Sequence, residues 1–281
     1  MKIVITSEST CDLPKSYIEE NGIVILPLAI NFGTEQHLDG VDITTKDIFE
    51  KVEAGSPLPK TSAISTYEYT EFFNKIKSEH NADIILHIGF SSGLSSTIQN
   101  AISASKELEN VYVVDSKNLS SGHGLVIMTA VDLIKQGLSI DKVIEEVEKI
   151  VPKVRTSFVI NTMTYLNKGG RCSTIAMIAG SILQIKPSII VNDGKMIVGK
   201  KYRGPINVCV KKYIEETLSE YPDARKDKIF LTYSSKELLN IEEFKNILKE
   251  RGFENIIETI ASPTISTHCG PNTIGILFID K

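Results

Sequence analysis

The chain has few of the features that mark secreted, membrane-spanning or metal-binding proteins. It has no tryptophan, and its four cysteines (Cys11, Cys172, Cys209 and Cys269) are scattered without a CxxC pair. Neither a disulfide framework nor a zinc knuckle is therefore indicated. No run approaches the roughly 20 apolar residues that span a bilayer, and the first residues turn polar too soon for a signal peptide. We expect a cytoplasmic protein without an integral membrane segment.

Strong charge and nucleotide-binding motifs are also missing. The formal net charge is −4 and no long basic run occurs, which argues against a nucleic-acid partner. The 281 residues contain neither GxxxxGK[ST] nor a GxGxxG after a strand, so we do not expect this chain to bind ATP. None of the five histidines has metal-ligand spacing with another His or Cys. No metal or cofactor is therefore predicted.

The first half of the chain alternates short β-branched runs with amphipathic segments. The runs at 2–6, 24–30, 84–88 and 111–115 are mostly apolar, as in strands that are buried on both faces. Helices are predicted from the cap at Thr44 to Gly55, at 67–79 and at 95–108. This order predicts a parallel sheet with flanking helices and right-handed crossovers.

The pattern changes after a helical segment at 139–151. The runs 188–192 and 195–199 flank Asp193-Gly194, which predicts a β-hairpin. A helix at 206–221, a strand at 228–233, a helix at 240–251 and a last strand at 274–279 follow. We therefore predict an α/β protein of two domains, a parallel-sheet domain at 1–155 and a smaller mixed α/β domain at 156–281. The segment 266–271 is expected to return to the site between them.

The segments after the predicted strands share small hydroxyl residues and glycines. These segments are 7–10, the turn 61–65, 91–97, and Ser116 with 120–124. Ligands of open α/β sheets collect beyond the carboxyl ends of the strands, and hydroxyls with free helix-start N–H groups suit an anion. No Arg or Lys lies within these segments, so a single carboxylate fits better than a phosphate. For any one of these segments plain helix capping is the favoured explanation, and only the occurrence of several on one rim of the sheet favours an anion site.

A second feature is His268-Cys269, just before the last predicted strand. An enzyme that uses His268 as base or nucleophile on a small carbonyl or phosphoryl substrate is one alternative. The Cys269 thiol is poorly placed beside it, because neighbouring side chains of an extended segment point to opposite faces. A protein-interaction module is another alternative, and it would leave the hydroxyl segments scattered. A long apolar tunnel would favour a carrier, and a polar cavity with His268 near a carboxylate would favour the enzyme.

A third feature is the segment 168–183, in which Lys168-Gly169-Gly170-Arg171 leads into a predicted helix rich in small residues. Such a helix admits a slender ligand or a closely packed backbone, with an apolar wall beside it. The basic, glycine-rich start is too short to form a phosphate loop on its own.

Taken in order, several motifs resemble those of the DegV family of bacterial proteins over nearly the whole chain. They are 7–13 (SESTCDL), 60–62 (KTS), 91–97, 114–116 with 122–124, 165–171 (YLNKGGR), 186–187 and 268–271 (HCGP). The chain departs from the family pattern at Glu8, Ile64 and Ser96, where the family has Asp, Pro and Gly.

The resemblance implies a protein that is not an enzyme and holds a long-chain fatty acid between its two domains. The residues that it places at the fatty acid carboxylate are Thr61, Ser62, Ser95 and His268, with Ser96 and Cys269 beside them. It also implies a partner, a separate ATP-dependent fatty acid kinase subunit that makes the acyl phosphate. Contact with a membrane surface would be transient.

Overall fold

The structure is a computed structural model that describes residues 1–174 and 185–281. Most of the small-residue helix predicted from the sequence, from residue 175 onward, lies outside the described residues. The strands are β1 (Ile3–Glu8), β2 (Val24–Leu26), β3 (Ala29–Phe32), β4 (Glu35–Leu38), β5 (Lys60–Ser62), β6 (Ile84–Gly89), β7 (Val111–Asp115), β8 (Val154–Val159), β9 (Ile185–Asn192), β10 (Lys195–Arg203), β11 (Ile229–Tyr233), β12 (Ile256–Ile260) and β13 (Ile274–Ile279). The helices are α1 (Lys15–Glu20), α2 (Thr45–Glu53), α3 (Thr66–His80), α4 (Thr97–Ser105), α5 (Ser120–Lys135), α6 (Ile140–Ile150), α7 (Thr164–Gly169), α8 (Ile206–Glu220), α9 (Ile241–Glu250) and α10 (Pro263–Cys269).

The N-terminal unit is built on a parallel sheet, as predicted. Its strand order is β2-β1-β6-β7, and every pairing is parallel. The side chains of β6 are buried along its whole length, as a strand covered on both faces requires. The first strand runs on to Glu8, so Ser7 and Glu8 lie in the strand and not in the loop predicted after it.

The prediction of one strand at 24–30 was wrong. β2 ends at Leu26 and β3 begins at Ala29, because Pro27 between them has no N–H to donate to a ladder. β3 then pairs antiparallel with both β4 and β5 in a small separate sheet. Thr61 and Ser62 therefore lie in a short strand, β5, where the sequence predicted a turn.

The C-terminal unit is built on a mixed sheet in the order β10-β9-β8-β13-β11-β12. The predicted hairpin is confirmed: Lys195 pairs with Asn192, and Asp193 and Gly194 both have positive φ, 45° and 76°, as a two-residue I′ turn requires. The predicted domain boundary, between residues 155 and 156, falls within β8.

Helix α5 lies between the two large sheets and packs on both. Its residues Leu125, Val126 and Ile127 share one core with Ile88 of β6 and Leu277 of β13. The segment 120–124, predicted as a loop, forms the start of this helix. The small residues there allow close packing, since an added Cβ at Gly122 would overlap the Thr156 hydroxyl.

The segment 266–271, predicted as a loop, is also largely helical. It forms the second half of α10 and the turn after it, so His268 and Cys269 are neighbours on a helix and not on an extended segment. α10 belongs to the C-terminal unit by its position between β12 and β13, yet it packs on α2, β3 and β5 of the N-terminal unit.

Candidate functional site

A cavity of about 220 Å³ opens where the small sheet, the loop after β6 and helix α10 meet. All six residues predicted at the ligand carboxylate line it. Its lining is Leu28, Thr61, Ser62, Ala63, Phe90, Leu94, Ser95, Ser96, Leu119, Phe158, Leu166, Arg171, Met196, Thr264, Ile265, His268 and Cys269. The fold thus brings together residues that are more than two hundred positions apart in the chain.

The central contact of the polar end joins β5 to α10. His268 Nε2 lies 3.0 Å from Thr61 Oγ1, while His268 Nδ1 is buried without a hydrogen-bond partner among residues 1–174 and 185–281. Gly169 permits this arrangement, because an added Cβ there would overlap Nδ1. One nitrogen of the imidazole therefore contacts Thr61, and the other faces the backbone of Gly169.

The neighbouring hydroxyls are only partly used. Ser95 Oγ accepts the Thr97 N–H (3.2 Å) and lies 2.9 Å from Thr97 Oγ1, which is local capping of the start of α4. A hydroxyl has two acceptor sites and one proton, so Ser95 can still donate its proton to a ligand. Ser62 Oγ accepts from Asn31 Nδ2 at 2.9 Å and also keeps its proton. Ser96 makes no side-chain cap bond.

The surroundings of His268 favour a neutral imidazole. Burial, helped by the positive charge of Arg171, lowers the pKa of His268 to about 4. A carboxylate beside the ring would favour the protonated form and raise this pKa again. The site can therefore gain a proton when an anion enters it.

Arg171 is a cation of the cavity wall that sequence reasoning did not place there. Its guanidinium donates to the Gly169 carbonyl (2.7 Å), and its side chain is exposed at the mouth. It lies just beyond α7. The segments in which the sequence has no Arg or Lys are those that follow the predicted strands, and Arg171 is outside them. The basic lead-in of the KGGR motif was the available signal.

The cavity is polar at its mouth and apolar inside. Ser62, Ser96 and Arg171 are exposed, whereas Leu119, Phe158 and Leu166 are buried. A second, smaller cavity of about 30 Å³ shares Leu119, Phe158, Ile265 and Cys269 with the first and continues toward the C-terminal sheet. This arrangement suits a ligand with a charged head and a long apolar tail.

The Cys269 thiol does not have the properties of a nucleophile that the enzyme alternative would use. Burial raises the pKa of the Cys269 thiol to about 12, so it is not a thiolate nucleophile near neutral pH. The described lining contains no Asp or Glu beside His268 that could orient it as a general base. Residues 1–174 and 185–281 contain no cluster of His, Cys, Asp and Glu suited to a metal ion.

Not every hydroxyl segment converges on the larger cavity. Ser7 donates to the Ile88 carbonyl (2.8 Å) and Ser120 to the Asp12 carboxylate (2.5 Å). Neither residue lines the larger cavity, although Ser120 lines the smaller one. Within the described part of the chain, no helix is long and apolar enough to cross a membrane.

Comparison with known proteins identifies the family. The matching family model is described as "Uncharacterised protein, DegV family", and the match covers residues 2–281. The chain belongs to the DegV family. A DegV domain-containing protein of Clostridium perfringens is 33% identical over 285 residues, covering 100% of this chain and 99% of the relative.

Solved structures of DegV proteins share the fold. A fatty-acid-binding DegV family protein of Thermus thermophilus superposes with a TM-score of 0.91 at 26% identity and full coverage of both chains. A stearic-acid-binding protein of Eubacterium ventriosum gives a TM-score of 0.82 at 26% identity, covering 99% of this chain and 98% of its own. The descriptions of both solved relatives name fatty acid binding.

Proposed function

We propose that this DegV protein binds one long-chain fatty acid between its two units and presents the carboxylate to a separate ATP-dependent kinase subunit, which forms the acyl phosphate. The observation that carries the binding proposal is the convergence of Thr61, Ser95 and His268 on the polar end of a cavity with apolar walls. The fatty acids bound by the solved DegV relatives support the same ligand class.

The two ends of the ligand have different roles in this proposal. Burial of an acyl chain contributes about 0.8 kcal/mol per methylene, whereas a hydrogen-bonded charged head adds about 1.5 to 3 kcal/mol per bond. The tail therefore supplies most of the affinity. Thr61, Ser62, Ser95 and His268 fix the position of the carboxylate, with Ser96 and Cys269 completing that end.

Presentation to a partner is supported by the polarity of the mouth. Ser62, Ser96 and Arg171 are exposed there, so a carboxylate held beside them stays within reach of a second protein while the tail is enclosed. Phosphoryl transfer would be the chemistry of the partner, in keeping with the missing nucleotide motifs of this chain. Loading from a membrane surface would require only transient contact.

Denaturing extraction of the purified protein, followed by mass spectrometry, tests the binding proposal. We expect about one fatty acid per chain, and we expect added fatty acid to raise the melting temperature of delipidated protein. Absence of stoichiometric lipid, together with an unchanged melting temperature, would refute it.

The kinase part of the proposal is tested separately by incubating the loaded protein with ATP, with and without a fatty acid kinase subunit. Acyl phosphate should form only when both proteins are present. ATP turnover by this chain alone would place the phosphoryl chemistry in this chain and contradict the proposal.

A further inference from the structure

Helix α10, which carries His268, is held at its start by two buried carboxylates of the N-terminal unit. Asp12 Oδ1 accepts the N–H of Ser262 at 2.9 Å. Asp39 Oδ2 accepts the N–H of Thr264 at 3.3 Å. Neither aspartate lines the cavity.

The two carboxylates complete the hydrogen bonding of the helix start. The first N–H groups of any helix lack partners within the helix. Here Pro263 has no N–H, Ile265 donates to the Ser262 side chain (3.4 Å), and Ser266 donates to the Ser262 carbonyl (2.8 Å). The remaining two, at Ser262 and Thr264, are those that Asp12 and Asp39 accept, so the position of α10 is set by the other unit.

The small antiparallel sheet and the residue after its strand β4 contact α10 near both ends of the helix. Asp39 directly follows β4 and holds Thr264, while Thr61 of β5 contacts His268. Thr264 and His268 are four residues apart, hence on the same face of the helix, and both line the cavity. A shift of the helix start would move His268 relative to Thr61.

Each aspartate is in turn fixed within its own unit. Ser9 Oγ donates to Asp39 Oδ2 at 2.8 Å, and Ser120 Oγ donates to Asp12 Oδ2 at 2.5 Å. Ser120 begins α5, the helix shared by the two sheets. The two carboxylates therefore connect α10 to Ser9 and to the start of α5 in the N-terminal unit.

We propose that Asp12 and Asp39 are positioning residues of the carboxylate site, acting through the start of α10 to hold His268 against Thr61. This inference rests on the proposed fatty acid function. It predicts that their loss weakens recognition of the ligand head and leaves recognition of the tail unchanged.

The test compares stearic acid with stearyl alcohol, which has the same chain but no carboxylate, as ligands of delipidated protein. Asp39→Ala should weaken stearic acid binding about tenfold, the equivalent of one hydrogen bond, and leave stearyl alcohol binding unchanged. Asp39→Asn keeps an acceptor for the Thr264 N–H and should restore most of the affinity. Asp42→Asn is the matched control, because the Asp42 carboxylate accepts the Leu38 N–H (2.7 Å) without touching α10.

The same comparison for Asp12→Ala and Asp12→Asn tests the second carboxylate. In a His268→Ala background, Asp39→Ala should have no further effect on stearic acid binding, because the two residues act on one contact. If Asp39→Ala does not fold, Ser9→Ala removes the support of Asp39 and should give a smaller loss in the same direction.

The outcomes separate the two proposals. If the wild-type chain binds neither ligand, the proposed function fails and this inference falls with it. If the wild-type chain binds stearic acid but Asp39→Ala weakens the acid and the alcohol equally, or Asp39→Asn does not restore binding, only the positioning role is refuted.

Discussion

Two buried carboxylates of the N-terminal unit, Glu8 and Asp12, are only four residues apart in sequence yet have opposite electrostatics. Glu8 accepts from Tyr69 OH (2.5 Å) and Phe90 N–H (2.9 Å), and its Oε1 lies 3.2 Å from His87 Nε2. Burial raises the pKa of Glu8, but the charge and hydrogen bond of His87 outweigh it and lower that pKa to about 2. Asp12 accepts, among the described residues, only from Ser120 and Ser262. Burial raises its pKa to about 7.

Of these two carboxylates, the one beside an imidazole has the lowered pKa, and the one that accepts only from hydroxyl and amide donors has the raised pKa. The ligand carboxylate of the proposed function would be a third case. Its site offers hydroxyls, like the one that donates to Asp12, and an imidazole, His268, like the one beside Glu8. We therefore expect the pKa of the bound carboxylate to be lowered, as that of Glu8 is.

Substitutions of the two carboxylates should differ most in how far they lower the free energy of unfolding. Glu8→Gln replaces one carboxylate oxygen with an NH2 group that cannot accept from Tyr69 or Phe90. It should lower the free energy of unfolding by about 3 kcal/mol, because a hydrogen bond to a charged group is lost and a buried donor is left unpaired. Asp12→Asn, the matched control, can accept from Ser262 and donate to Ser120, and should cost about 1 kcal/mol or less. Urea unfolding at pH 7 measures both, and equal losses would remove the distinction.

The next largest effect is expected on the affinity for the fatty acid, through its carboxylate. Replacement of His268 or Ser95 by Ala should weaken fatty acid binding by about 1 to 3 kcal/mol, because a charged acceptor loses a buried donor. Ser92→Ala is the control, since Ser92 lies in the same loop but accepts from Lys117 Nζ (2.9 Å) and does not line the cavity. Phosphorylation by the kinase subunit should fall more than affinity does, because a displaced carboxylate is misaligned for attack.

If Ser95→Ala supported phosphorylation of the bound fatty acid at the wild-type rate, Ser95 would be an ordinary helix cap. The same result for His268→Ala would make His268 a residue of the cavity wall that does not position the carboxylate. The enzyme alternative predicts instead a loss of turnover in this chain alone, with fatty acid binding unchanged.

The two carboxylates should also give stability opposite dependences on pH. Glu8 has a lowered pKa in the folded state, so its contribution is present above pH 4.5 and lost as the pH falls toward 2. Asp12 has a raised pKa, so the folded state binds more protons than the unfolded state between pH 3.8 and about 7. Stability from Asp12 therefore falls as the pH rises through that window.

Asp12→Asn should remove part of that fall, leaving the part that comes from Asp39, whose pKa burial also raises. Thermal unfolding of wild type and variant at several pH values between 4 and 8 provides the measurement. Identical pH profiles would show that Asp12 has an ordinary pKa.

The smallest loss of fatty acid affinity is expected for a substitution at Gly169, where an added Cβ would overlap His268 Nδ1. Gly169→Ala should weaken fatty acid binding by displacing the imidazole. Because Ala is favoured over Gly in a helix by about 0.5 to 1 kcal/mol, the melting temperature should change little. Titration with fatty acid checks the first effect, and unchanged affinity would mean that the position of His268 does not matter.

Much of the fold could be predicted from local patterns, and the exceptions have physical causes. The runs at 84–88, 111–115 and 274–279 are apolar and β-branched, and Asp193-Gly194 marks its hairpin directly. The α10 segment, by contrast, consists largely of Thr, Ser, His and Cys, which are poor helix formers. Two N–H groups at its start donate to Asp12 and Asp39, which are distant in sequence.

The candidate site was predictable only in part. Hydroxyl-rich segments after strands indicated an anion site. The same pattern occurs at Ser7 and Ser120, which donate to the Ile88 carbonyl and the Asp12 carboxylate of the protein itself. The meeting of Thr61 with His268 was implied by the family resemblance, because no local pattern connects a strand of the small sheet with a helix at the other end of the chain. Arg171 was missed because it follows a helix and not a strand.

A crystal structure of the delipidated protein reloaded with stearic acid would show where the ligand carboxylate lies. We expect the carboxylate oxygens within hydrogen-bond distance of Thr61, Ser95 and His268, about 2.5 to 3.2 Å, with the tail running past Leu119 and Phe158. A carboxylate bound elsewhere, or a ligand inserted with its methyl end at Thr61 and His268, would contradict this expectation.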